Sequence, residues 1–226
     1  MQLTKAISNK GYHHIPNSCM DLFMIGQNSN GYYQIAGAGG DTWIVYCDFN
    51  SERGSVWTLV MSWSLENAQM PAFRSRSLTQ DEPVNELSPN WEVYRMSREQ
   101  MKFLKARSTH WRVTCQFDIV DVDYQDYMRG NFANFDITSF LGAQTCKAVD
   151  YINVRGISGH TTATFWQIEN TCLLHTDTSD GTCDFNARAG AKGSEDNFGH
   201  YVYTNDAFKC TSGPSATTQY WFGSYI

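Results

Sequence analysis

The chain is short of charge, short of proline, and without paired metal-type cysteines or a long apolar run. Each shortage removes a class of protein. Charged residues make up 18% of the 226 and prolines number 5. With 17 Lys and Arg against 23 Asp and Glu, the net charge is -6, so no broad cationic field exists to release counterions from phosphates. Nucleic acid is thereby excluded as a partner. The longest apolar runs, Trp43 to Tyr46 and Trp57 to Met61, fall far short of the ~20 residues that cross a bilayer, so membrane insertion is excluded too. No Cys-x-x-Cys occurs, which removes zinc-ribbon and thioredoxin signatures. No Asn-x-Ser/Thr sequon supports secretion. The start, Met1-Gln2-Leu3-Thr4-Lys5-Ala6, lacks the apolar centre of a signal peptide, so a secreted protein would be represented here by its mature part.

Catalytic patterns are missing as well. There is no His-Glu-x-x-His, Walker loop or Rossmann glycine pattern. Gly156-Ile157-Ser158-Gly159-His160 fails the Gly-x-Ser-x-Gly spacing of a nucleophile elbow and reads as a turn. An enzyme is not expected.

What the chain does have is apolar and aromatic residues, at 42% and 14%, the composition of a globular protein. Its length suits one domain. Seven cysteines are spread along it, which suggests disulfides in an oxidising compartment; the other reading is buried free thiols in a cytosolic protein.

Residues 1–18 are polar, carry His13 and His14, and read as an arm. Tyr32-Tyr33-Gln34-Ile35 and Trp43-Ile44-Val45-Tyr46-Cys47 flank a glycine cluster and predict a hairpin. Val56 to Trp63 predicts a central strand. Glu66 to Pro89 reads as a long loop. Ser97, with Gln100 three residues on, predicts the N-terminus of the best helix. Trp111 to Val120, Tyr151 to Val154 and Ala163 to Ile168 read as strands. The expectation is an α+β fold, with a mainly antiparallel twisted sheet, few short helices and a loop-rich C-terminal lobe. Its divisions are 19–63, 64–170 and 171–226.

Four separated pieces carry a resemblance. They are Ser18-Cys19, then Asn30-Gly31-Tyr32-Tyr33, then Tyr46-Cys47-Asp48-Phe49, then Gly54-Ser55-Val56-Trp57-Thr58-Leu59-Val60. In order and spacing this block resembles the opening of fibrinogen-like and intelectin-like domains. A weaker similarity returns at Cys183-Asp184-Phe185, Phe198 to Thr204 and Gln219 to Phe222, while the Gly-Trp-Trp and Asn-x-Cys elements of ordinary fibrinogen-like domains are missing. The resemblance implies an extracellular recognition domain, secreted or part of a larger protein, whose C-terminal lobe holds Ca²⁺ and grips sugar hydroxyls. Its partners would be glycans or glycoproteins, with a homo-oligomer supplying avidity. The alternative is a protein-binding domain without lectin activity.

Independently of that resemblance, Asp177, Asp180 and Asp184 gather around one turn, and Glu195, Asp196 and Asn197 follow, an oxygen-rich set of the kind Ca²⁺ takes. Solvated loop acids are the competing reading. His200, Tyr203 and Trp221 are the candidate sugar-contacting rings; each is also a reasonable core or strand residue, and for Trp221 the core reading is favoured. For the cysteines, Cys19 with Cys47, Cys172 with Cys183 and Cys115 with Cys146 is the favoured scheme among 105, leaving Cys210 for a free or intermolecular role.

Overall fold

The computed structural model describes residues 15–178 and 181–226. Most of the arm, with His13 and His14, and the ligand candidate Asp180 therefore lie outside the described residues.

Ser18 opens the first helix, α1 (Cys19–Met24), by accepting the Asp21 N–H at 3.1 Å. The hairpin follows as β1 (Gly31–Ala36) and β2 (Thr42–Asp48), with Ile35 opposite Trp43 across its glycine turn. All ten residues of β3 (Ser55–Ser64) are buried, as the dense apolar run predicts. A one-turn helix α2 (Pro71–Arg74) and the short β4 (Val93–Arg95) lead to α3 (Arg98–Lys105). Ser97 and Gln100 form the reciprocal capping box that their spacing predicts.

β5 (His110–Cys115) is shorter than the predicted strand. It stops because Gln116 takes a left-handed φ of 54°, and the next four residues coil into α4 (Phe117–Val120). Then come β6 (Tyr127–Asn131), β7 (Gly142–Ala148), β8 (Tyr151–Asn153), β9 (Thr162–Ile168) and β10 (Cys172–Asp177). The two-residue β11 (Asp196–Asn197) and the closing β12 (Thr217–Tyr225) complete the chain.

The α+β expectation is corrected. The described residues form 12 strands in two antiparallel sheets and are only 13% helical, which is a β-rich fold. The large sheet runs β1-β2-β3-β12-β5-β6-β8, with β4 beside β3, and the small one runs β11-β10-β9-β7. The physical reason is length: the longest described helix, α3, has eight residues, too few to form a helical layer. Within 171–226 the regular elements among the described residues are β10, β11, β12 and a 3-10 turn (Lys209–Thr211), and the rest is irregular.

One apolar cluster joins the sheets. Tyr220 of β12 donates its hydroxyl to the carbonyls of Leu174 at 3.0 Å and Phe198 at 3.1 Å, tying the large sheet to the small one. Trp57, Trp63, Trp111 and Trp221 are all at 0% exposure, and each such ring lost to alanine would cost about 3–5 kcal/mol.

A charge network sits within the large sheet. Arg112 reaches Asp48 at 2.6 Å and Glu52 at 3.1 Å, lying over the rings of Trp57 and Trp221. Glu52 also accepts from Tyr127 at 2.9 Å and from Arg129 and Tyr225. The hairpin is thereby tied to β5, β6 and β12.

Disulfides join Cys19 to Cys47, Cys115 to Cys210 and Cys146 to Cys183, and Cys172 is a buried free thiol. The scheme pairing Cys172 with Cys183 and Cys115 with Cys146 is corrected. Cys172 begins the six-residue β10 and Cys183 lies beyond its far end, a span of about 17 Å along the strand. Cys183 lies instead against Thr164 of β9, which donates to its Sγ at 2.9 Å, and Thr164 is the register partner of Cys146 in β7. Cys115 ends a strand of the large sheet, while Cys146 belongs to the small one.

Candidate functional site

The acid-rich lobe is built where β10 meets β11, with Thr176 opposite Asn197 and Asp177 opposite Asp196. The backbone after β11 is unusual. Phe198, His200 and Tyr201 have φ of 70°, 68° and 43°, a run of left-handed conformations that costs free energy and occurs where the surroundings over-determine it. Gly199 stands among them because a Cβ there would collide with the Leu174 carbonyl.

Four of the six oxygen-bearing candidates come together at this strand pair, with distinct roles. Glu195 is fully buried and saturated: it accepts from Arg155, from Asn197 Nδ2 at 2.9 Å, from Asn205 Nδ2 at 2.7 Å and from the Lys192 N–H at 3.2 Å. Arg155 also donates to the carbonyls of Ala187 and Ala189, so the pair organises the loop. Asp196 is buried and accepts the N–H groups of Val202 at 2.7 Å and Tyr203 at 3.0 Å. Burial pushes its carboxyl above the ordinary range, although the N–H groups of Tyr203 and Val202 act in the opposite direction. Asp177 is half-buried and accepts from Ser194 at 2.7 Å. Asp184 is exposed and stands apart from the cavity described next.

That cavity measures about 10 Å³ and is lined by Thr164, Thr176, Asp177, Thr178, Phe185, Ala187 and Asn197. It has room for about one water-sized sphere. Two of its lining residues carry buried oxygens with no hydrogen-bond partner, Thr176 Oγ1 and Asn197 Oδ1. Asn197 must point its amide nitrogen at the Glu195 carboxylate, which leaves the oxygen as the unpartnered atom. Buried polar atoms are nearly always satisfied, so such a pair beside a carboxylate calls for a partner. Hard oxygen donors with no nitrogen or sulfur among them suit Ca²⁺ better than a transition metal. Among the described residues no three His, Cys, Asp or Glu side chains form a metal-type group, so a cation here would draw on hydroxyl and amide oxygens.

No protein-family model matches the chain, and no curated protein matches it. The functional reading therefore rests on the lobe itself.

The three candidate rings separate. Trp221 is in the core at 0% exposure, against Phe117 and the Arg112 guanidinium, and its indole N–H is bonded to Thr114 at 2.9 Å. It cannot touch a ligand. His200 is half-buried, bonds the Arg74 carbonyl at 2.9 Å and stacks on His175, which stacks in turn on Trp166. Burial pushes the His175 imidazole down to about 4, so it is neutral at ordinary pH. Tyr203 is 59% exposed on a backbone held by Asp196.

Arg155, Thr176 and Asn205 escape sequence reasoning. Arg155 meets Glu195 across 40 residues, and nothing local marks it. Thr176 could be found only from the register of β10 with β11.

Proposed function

We propose that this chain is an extracellular recognition domain for glycans, with a calcium ion seated at the β10–β11 pair. One observation carries the reading: Thr176 Oγ1 and Asn197 Oδ1 are buried without partners on residues that, together with Asp177, line one ion-sized cavity. Three disulfides support an oxidising compartment, and no helix among the described residues is long and apolar enough to cross a membrane. The fibrinogen-like and intelectin-like resemblance of residues 18–60 points the same way.

Thr176, Asp177 and Asn197 would hold the ion, which would supply positive charge beside the Asp177 carboxylate and a partner for Thr176 Oγ1 and Asn197 Oδ1, and so tie β10 to β11. The sugar contact falls to side chains. Tyr203 offers an exposed ring for the apolar face of a pyranose, and its backbone is fixed through Asp196, the residue preceding Asn197. His200 borders the same turn with an imidazole oriented by the Arg74 carbonyl.

A glycan array read with Ca²⁺, with chelator, and with Tyr203→Ala tests this. Chelator and the Tyr203 variant should each lower the signal about tenfold, the range for losing one ring contact or its support. If glycan binding persists unchanged in both, the calcium site and the Tyr203 contact are wrong; if no glycan binds and only glycan-free proteins do, the chain is a protein-recognition domain instead.

A further inference from the structure

A different surface stands on the large sheet. Strand alternation in β2 buries Trp43, Val45 and Cys47 and leaves Ile44 and Tyr46 on the other face, where Tyr32 of β1 lies opposite Tyr46. The outward face of an antiparallel sheet is ordinarily polar. Here Tyr32 is 53% exposed and Ile44 37%. Ring contacts carry the surface sideways. Tyr46 meets Tyr32 edge-on at 5.1 Å and Trp91 at 4.8 Å, and Trp91 packs on Phe117 of α4 at 5.8 Å.

Trp91 is half-buried and forms one wall of a groove of about 530 Å³, whose lining also includes Glu66, Glu92, Val93, Asp118 and Ile119. Ile119 stands on the helical turn that the left-handed Gln116 opens, and it is 68% exposed. An apolar and aromatic strip thus runs from the hairpin face into the groove. Such a strip bordered by polar residues marks an interaction surface.

Charge along it has one sign. Three of the groove's side chains are carboxylates, and none of its lining residues is Lys or Arg. Asp118 accepts from the Thr217 hydroxyl, whereas Glu66 and Glu92 are exposed and form no ion pair among the described residues. The field reaches the hairpin as well: burial, and after it the charges of Asp48 and Asp121, push the Tyr46 phenol up to about 12.

We infer that this face docks a basic, amphipathic segment of a partner protein. A Lys or Arg of that segment lies over Trp91 between the carboxylates, where the ring and the acids attract the same charge. Its apolar side chains cover Ile119 and Tyr32. An acidic segment is repelled, and a wholly polar cation leaves Ile119 and Ile44 in water. A second copy of this chain is opposed by its own net charge of -6. The inference does not rest on the glycan reading, because the groove shares no lining residue with the cavity of the acidic lobe. Its test runs in chelator and without glycan, so the two fail separately.

The experiment is a ¹H–¹⁵N titration that follows the indole cross-peaks, with the Trp91 peak assigned by its loss in Trp91→Phe. The probes are three short peptides, alternating Lys with Val, Lys with Ser, and Glu with Val. The Lys–Val peptide should move the Trp91 peak saturably, the Lys–Ser peptide should bind more weakly, and the Glu–Val peptide should leave the peak in place. Glu66→Gln with Glu92→Gln should lower the Lys–Val affinity about tenfold, the span of two exposed charge pairs lost together. Ile119→Ser should lower it too. All three positions are exposed, so both variants should melt with the parent. Raising NaCl to about 0.5 M should weaken binding by screening. The inference is overturned if the Lys–Val peptide leaves the peak unmoved up to its solubility, if either control peptide binds as tightly, or if either variant keeps the parent's affinity. A Trp91 peak moved by cellobiose alone, or by protein concentration alone, would overturn it in favour of a sugar or of a second copy.

Discussion

Arg112 and Asp48 meet at 2.6 Å with neither side chain exposed to solvent. The pair joins strands β2 and β5, which are separated in the sheet by β3 and β12. A buried ion pair adds little net stability over an apolar replacement, yet breaking one leaves a desolvated charge.

Arg112→Met should therefore destabilise the fold by about 3–5 kcal/mol, because it leaves the buried Asp48 without a cation and Glu52 with Arg129 as its one remaining guanidinium. Urea unfolding of the variant measures it. A loss below about 1 kcal/mol, the scale of an exposed pair, would show that the network contributes nothing special.

The same network sets an acid limit. Burial alone would raise the carboxyls of Asp48 and Glu52, but the Arg112 charge and the surrounding hydrogen bonds bring both below their ordinary values. Their folded-state affinity for protons is thus lower than in the unfolded chain. They add stability above the unfolded values of about 4, and that contribution drains away as pH falls further. The urea midpoint should hold from pH 7 to pH 5 and drop steeply below about pH 4. Arg112→Met should flatten the drop.

Much of the hairpin, β3 and α3 was legible because local chemistry decides them: a glycine turn between aromatic runs, a dense apolar run from Val56 to Trp63, a capping box. The small sheet was not. Its β7, Gly-Ala-Gln-Thr-Cys-Lys-Ala, has weak strand propensity and little burial, and exists because β9 pairs with it. The acidic lobe was half legible. Composition marked Asp177, Glu195, Asp196 and Asn197, but only the fold distinguishes a saturated Glu195 from an Asn197 with a free oxygen. Trp221 was a candidate ring for which the sequence already favoured the core, and its 0% exposure agrees.

Cysteine pairing is the plainest case of non-local information. Non-reducing peptide mapping should recover Cys115 with Cys210 and Cys146 with Cys183, and maleimide should label Cys172 only after unfolding, since the thiol is buried. Removing the Cys115–Cys210 bond with two serines opens a separation of 95 residues, a loss of about 4–5 kcal/mol in the chain-entropy model. Rapid labelling of Cys172 in the folded protein would contradict this arrangement.

Asn197→Ala should weaken calcium binding while sparing the fold less than Asp184→Ala does. Asn197 is buried and bonded to Glu195, whereas Asp184 is exposed. Thermal unfolding in chelator ranks the two: Asn197→Ala melts lower, Asp184→Ala melts with the parent. Equal melting of both would place Asn197 outside the lobe's supporting bonds.

Calorimetric titration of Ca²⁺ into chelator-stripped protein bears most directly on the lobe. The account predicts saturable binding that Asp177→Asn weakens, with stabilisation of about 2.7 kcal/mol at a hundredfold excess over the dissociation constant. Absence of binding heat together with an unchanged melting temperature would contradict it, and Thr176 and Asn197 would then be left to an ordinary buried water.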